Sequence, residues 1–202
     1  MLLGSDGFGK RTCPVFSRSK YIFIAWEWVL LANLFISHTH WDHIQGFPFF
    51  KPAYAKGNQI NVYGQAQITG DLVKAVTSQT EHPEVLANIA GCLEVNGAGI
   101  REVLARQQES RTFPAPLQIM GGLGKFTDFI PGGRIYNDDE MIVGSHLMNH
   151  PGGCVSYKFK KTDGGMFVFA TDFEPDFTDH DEKVIAFWTG ANVVYADGQY
   201  ED

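Results

Sequence analysis

The chain has only three cysteines, Cys13, Cys92 and Cys154, and no two of them form a CxxC pair. That excludes a disulfide framework and a zinc ribbon, and it points to a reducing cytoplasm. Basic residues are scarce as well: 16 Lys and Arg against 23 Asp and Glu give a net charge of -7. A broad cationic face of the kind that grips nucleic acid is therefore not expected. A local cationic pocket stays compatible with this count, because bound metal ions add charge that the residues do not carry. The apolar run YIFIAWEWVLLANLFI, residues 21–36, is shorter than the roughly 20 residues of a membrane span and carries Glu27 and Asn33. No compact basic segment with a cleavage site precedes it, so neither a membrane nor an export role is expected. Repeats and low-complexity tracts are also missing.

What remains is an ordinary globular composition, 44% hydrophobic and 19% charged, enough for one domain over residues 1–202 with a sizeable core. Its 22 glycines fit short strands joined by tight turns. Aromatic and β-branched residues make 21–36 a buried strand pair, and NQINVYG (58–64) alternates like a third strand. QITGDLVKAVTSQ and IREVLARQQES have helical periodicity, the second placing Ile100, Val103 and Leu104 on one face. Between them, EHPEVLANIAG reads as a short helix followed by turns. RTFPAPLQIM, DEMIVGSHLMNH, CVSYKFK and GMFVFATD are strand-like, DEKVIAFW is a helix and ANVVYAD a last strand. This order fits two sheets with helices outside.

One stretch stands out chemically. SHTHWDH, residues 37–43, puts His38, His40, Asp42 and His43 directly after an apolar strand, in a chain with seven histidines. His38 and His40 are two apart, so an extended backbone aims both rings the same way. A turn after Thr39 brings Asp42 and His43 toward a neighbouring point. Imidazole and carboxylate are ligands that suit zinc, manganese and iron. Far downstream, His150 closes a strand before the turn Pro151, Gly152, Gly153, and Asp172 closes the apolar MFVFAT.

H-x-H-x-D-H after a buried strand resembles the signature of the metallo-β-lactamase superfamily. HTHWDHIQGFPFFKPAY (38–54), HPGGCVSYKF (150–159) and VFATDFE (168–174) are similar to successive motifs of one branch. That branch comprises bacterial metal-dependent hydrolases akin to phosphoribosyl cyclic phosphodiesterases. The resemblance implies an α+β fold, a four-layer αββα sandwich. It also implies two divalent ions, zinc foremost and manganese as the alternative. His38, His40 and His150 would hold one, Asp42 and His43 the second, and Asp172 would bridge both. Asp42 and Asp172 are the carboxylates implied in catalysis. Two such ions about 3.5–4 Å apart hold a bridging hydroxide as nucleophile, so no serine or cysteine is needed. Thr39, Thr171 and nearby carbonyls are candidates to accept from the outer ring nitrogens. The implied substrate is a small phosphodiester, a cyclic nucleotide or cyclic sugar phosphate. Hydrolysis of a carboxylic ester, thioester or lactam is the alternative within the fold, and the acidic charge disfavours a tRNA 3′-end nuclease. A metal-binding module without turnover is the rival from another class. No nucleic-acid or membrane partner is expected, and a homodimer is left open.

The pattern departs from the family in two places. The D-x-G-x-G turn that usually precedes the metal loop is missing from YIFIAWEWVLLANL, making residues 1–33 atypical. The terminal metal histidine, expected after a strand like VVYADGQY, has no counterpart before Asp202, so the C-terminal end reads as truncated. His180 precedes that strand and reads as a surface residue. Cys154 reads as a buried thiol with a soft ligand as the alternative; His82 and His146 read as structural or surface groups. Phe47, Pro48, Phe49 and Phe50 wall a substrate pocket or pack the core, and Lys51 faces water.

Overall fold

The computed structural model describes residues 16–24, 27–66 and 99–197. The expected helices in 67–79 and 81–91, together with Cys13, Cys92 and His82, lie outside them.

Two sheets form the centre. The first orders its strands β1 (Phe16–Ile24), β2 (Glu27–Phe35), β3 (Gln59–Gln65) and β4 (Leu123–Phe129). β1 and β2 are antiparallel, while β3 and β4 continue parallel to β2. The second runs β5 (Arg134–Asn137), β6 (Met141–Met148), β7 (Cys154–Lys161), β8 (Met166–Ala170) and β9 (Val193–Ala196). Its pairs are antiparallel except β8 with β9. The described residues also form three α-helices, α1 (Trp41–Ile44), α2 (Ile100–Gln107) and α3 (Asp179–Trp188), and three short 3-10 helices.

The period of two along the strands sorts side chains into layers. On β2 and β3, Ala32, Ile60 and Val62, with Ile36 just after β2, turn outward against Ile100 and Leu104 of α2. Phe35 faces the other way and meets Val143, Val155, Tyr157 and Phe159 of the second sheet, with Tyr63 and Phe129 beside it. On the far side of that sheet, Met148, Cys154, Val168 and Ala170 pack on Val184 and Trp188 of α3. Helix, sheet, sheet, helix is the four-layer αββα sandwich expected from the sequence. Gly64 is what lets α2 come close, since a Cβ there would sit 2.7 Å from the Ile100 side chain.

Each outer helix is anchored by a polar contact at its start. The Ile100 N–H donates to Asp128 Oδ1 on β4 at 2.7 Å, placing a carboxylate at the positive end of α2. Thr178 caps α3 by accepting from the His180 N–H, with Asp179, Asp181 and Glu182 in the first turn. Among the described residues no helix is long and apolar enough to cross a membrane.

One expectation needs correction. RTFPAPLQIM (111–120) is not a strand: it forms turns and a short 3-10 helix, Leu117–Ile119. Pro114 and Pro116 withhold two N–H groups that a ladder would need. The next strand instead starts at Leu123.

Candidate metal centre

The candidate metal loop is built where the two sheets meet. β2 ends at Phe35, and three bonds then fix the exit of the chain. The Ile36 N–H donates to the Tyr63 carbonyl at 2.9 Å, and the Ile36 carbonyl accepts from the buried Tyr157 hydroxyl at 2.5 Å. The Ser37 carbonyl accepts from the Val155 N–H at 2.9 Å. The loop is thus tied to both sheets before His38 is reached. α1 follows at once, with the His43 N–H bonded to the His40 carbonyl and the Ile44 carbonyl held by Gln107 of α2.

Three rings converge. His40 Nδ1 lies 3.0 Å from His38 Nε2 and 3.1 Å from His150 Nε2. Zinc–nitrogen bonds of about 2.0–2.1 Å in tetrahedral array would space ligand nitrogens about 3.4 Å apart. The observed spacings are close to that. His150 is delivered by the turn after β6, where Gly152 and Gly153 take φ of 80° and 82°. Two successive left-handed residues reverse the chain within a few positions, a path glycine follows without strain.

A second group adjoins the first. His43 Nε2 lies 2.7 Å from Asp172 Oδ2 and 3.2 Å from Asp42 Oδ2, while His38 Nε2 is 3.7 Å from Asp172 Oδ2. Asp42 is mostly exposed, whereas Asp172 is largely covered. Asp172 follows β8 and takes φ 56°, a left-handed turn held by its N–H donating to Asp197 Oδ2 at 2.7 Å.

Electrostatics favour a cation here. Burial pushes the His38 pKa down to about 4, aided by the neighbouring His43, His40 and His150. His38 is therefore neutral at pH 7, the form that ligates metals. Asp172 Oδ2 is buried, with His43 Nε2 at 2.7 Å and His38 Nε2 at 3.7 Å. A buried carboxylate oxygen is costly unless a cation meets it. Three converging imidazoles, one neighbouring imidazole and this buried carboxylate together fit a divalent ion.

The outer nitrogens find partners that sequence reasoning did not name. His150 Nδ1 lies 2.8 Å from Glu174 Oε1, and His38 Nδ1 lies 3.3 Å from the Ser37 hydroxyl. Thr171 is not among these partners: its hydroxyl is buried without a hydrogen bond. Glu174 and Asp197 were detectable only as acidic residues near strand ends.

Cys154 is fully buried and donates to the Thr171 carbonyl at 3.1 Å. Burial, with Asp172 nearby, pushes its thiol up to about 12, so it stays protonated at neutral pH. It nonetheless groups with His38 and Asp172 as a potential third donor. His180 lies on α3 with its ring stacked 6.0 Å from His146. It is outside both metal groups. Phe47 and Pro48 are buried, while Phe49 is exposed and lies edge-on to Phe113. Lys51 is exposed.

No protein-family model matches the sequence, and no curated protein does either. Among solved structures the chain is similar to the short form of human tRNase Z, at 11% identity and a TM-score of 0.46. That match covers 88% of this chain and 69% of tRNase Z. It is also similar to YhfI of Bacillus subtilis, a metallo-beta-lactamase fold protein, at 12% identity and a TM-score of 0.43, covering 92% of this chain and 65% of YhfI. Zn(2+)-bound PqqB of Methylobacterium extorquens matches at 9% identity and a TM-score of 0.45, covering 90% of this chain and 60% of PqqB. These are likenesses of fold, and they transfer no substrate or residue role.

Proposed function

We propose that this chain is a metal-dependent hydrolase of the metallo-β-lactamase type, acting on a small phosphodiester. The observation that carries the reading is the convergence of His38 Nε2 and His150 Nε2 on His40 Nδ1 at 3.0 and 3.1 Å, beside the largely covered carboxylate of Asp172. In this reading the three histidines hold a first divalent ion, Asp42 and His43 hold a second, and Asp172 serves both. Imidazole with carboxylate favours zinc, with manganese as the alternative. When bound, such ions supply Lewis acidity and lower the pKa of water toward neutrality.

The chain's own residues prepare the site for this. His38 enters neutral, so no proton has to leave before it ligates. Asp172 is aimed inward by its left-handed turn. Trp41 and Phe49, 64% and 70% exposed, present flat apolar surface on the metal loop and the turn beyond it, suited to an apolar part of the substrate. The phosphodiester class rests on the likeness of HTHWDHIQGFPFFKPAY and HPGGCVSYKF to the cyclic phosphodiesterase-like branch. A small soluble substrate and a reducing compartment, in which Cys154 stays a free thiol, complete the reading.

The test is hydrolysis of bis-p-nitrophenyl phosphate beside a chromogenic lactam, with zinc or manganese added. Turnover of the phosphodiester, abolished by a chelator and by His38→Ala, is the expected result. A response to the lactam alone would overturn the substrate class. A metal-binding module without turnover is the second reading, favoured by the exposure of the Asp42 carboxylate, 70% open to solvent. Elemental analysis separates the two: about two ions per chain with turnover supports the hydrolase, and one ion without turnover supports the module.

A further inference from the structure

The three converging histidines differ on their outer sides. His38 Nδ1 faces a hydroxyl, that of Ser37 at 3.3 Å. His150 Nδ1 instead has a carboxylate oxygen, Glu174 Oε1, at 2.8 Å. A carboxylate can only accept, so the proton of a neutral His150 sits on Nδ1 and the lone pair on Nε2. Nε2 is the atom that faces His40 Nδ1.

Glu174 does not reach His150 by chance of side-chain rotation. Its N–H donates to the Asn149 carbonyl at 3.0 Å, and its own carbonyl accepts from Asn149 Nδ2 at 2.9 Å. The segment after β8 is therefore stitched to the end of β6 at the residue before His150. Asp172 sits two positions upstream on the same stitched segment. One carboxylate thus joins the strand end bearing His150 to the segment bearing Asp172.

We propose that Glu174 is the positioning residue of the metal centre, fixing the ring orientation and tautomer of His150 so that Nε2 is presented to the ion. The inference rests on the metal-centre reading above and adds a residue to it. A carboxylate behind a ligating imidazole also raises its basicity, and loss of such a partner typically costs 10–100-fold in metal affinity. The half-exposed position of Glu174 makes its replacement tolerable to the fold, because the two backbone bonds to Asn149 do not use its side chain.

The experiment is zinc titration of the full chain against a chromophoric chelator, for the parent and for Glu174→Ala, Glu174→Gln and Glu102→Ala. Glu102 pairs with Arg106 on the exposed face of α2 and controls for the loss of one negative charge. Glu174→Ala should bind zinc 10–100-fold more weakly, and Glu174→Gln, whose amide oxygen still accepts, should recover most of the loss. Glu102→Ala should bind as the parent does. Nitrogen-15 spectra of the metal-free protein add a readout independent of the ion: His150 should show one tautomer in the parent and two in Glu174→Ala. Zinc binding by the parent with equal affinity in Glu174→Ala, or an unchanged single tautomer, would overturn the role of Glu174 alone. Failure of the parent to bind zinc at all would overturn the metal-centre reading with it.

Discussion

Metal-free protein should be acid-sensitive through His38, and the size of the effect follows from its surroundings. His38 is buried, and its pKa is pushed down from 6.5 to about 4, first by burial and then by His43, His40 and His150. The unfolded chain takes up this proton near pH 6.5, whereas the folded chain resists until about pH 4. Between those values the unfolded state holds more protons, so stability rises with pH across the window and is lost as pH falls through it. At about 1.4 kcal/mol per pH unit, lowering the pH from 7 to 4.5 should remove roughly 2–3 kcal/mol through this one side chain. The assay is urea denaturation in the presence of a chelator at several pH values, for the parent and for His38→Leu. Leucine fills the buried site without titrating, so the variant should lose roughly 2–3 kcal/mol less than the parent over the same range. Parallel pH curves for the two proteins would refute the argument, because they would show that His38 protonates as easily folded as unfolded.

Gly64→Ala places a Cβ 2.7 Å from the Ile100 side chain, close to where α2 begins. It should cost about 1–3 kcal/mol in chemical denaturation, as overpacked cores do. Tyr157→Phe removes the hydroxyl that serves the Ile36 carbonyl, one residue before Ser37. The loss should be about 1–3 kcal/mol of stability, with weaker zinc binding read by chelator competition because the loop loses one of its two ties to the second sheet, the Val155–Ser37 bond remaining. Asp197→Ala frees the Asp172 N–H, and the left-handed turn at φ 56° then loses its support. It should cost about 1 kcal/mol and lower the number of ions bound in elemental analysis, with Asp197→Asn restoring both.

The parts of the fold legible in the sequence are those where one local rule dominates. Ile60 and Val62 alternate with Asn61 and Tyr63, so β3 declared itself by its period. IREVLARQ showed its buried face through Ile100 and Leu104. β4, LGKFTDF, lacks such a rhythm, because its seven residues are exposed or only partly buried, and its sequence announces no strand. The strand expected at 111–120 failed because apolar content outweighed two prolines in the reading, while the backbone obeys the prolines. The metal loop was legible because four donors lie within six positions. Glu174 was not legible. Its partner is 24 residues away in sequence, and the two meet only through the reversal at Asp172, whose φ no composition announces.

The arrangement of donors also decides how binding and folding are linked. His38, His40, Asp42 and His43 follow β2 of the first sheet, whereas His150 and Asp172 follow β6 and β8 of the second. An ion shared among them would bridge both layers at one end of the Phe35, Tyr157 and Phe159 core. Such an ion has no equivalent site in the unfolded chain, so its binding energy becomes folding energy. At a free zinc concentration a thousandfold above the dissociation constant, the added stability is about 4 kcal/mol. The acid loss assigned to His38 should then move to lower pH, because the ion competes with the proton for the same nitrogen. A denaturation midpoint that rises with zinc in the parent but not in His150→Ala would locate that linkage between the sheets. A rise of equal size in both would place the ion elsewhere on the chain.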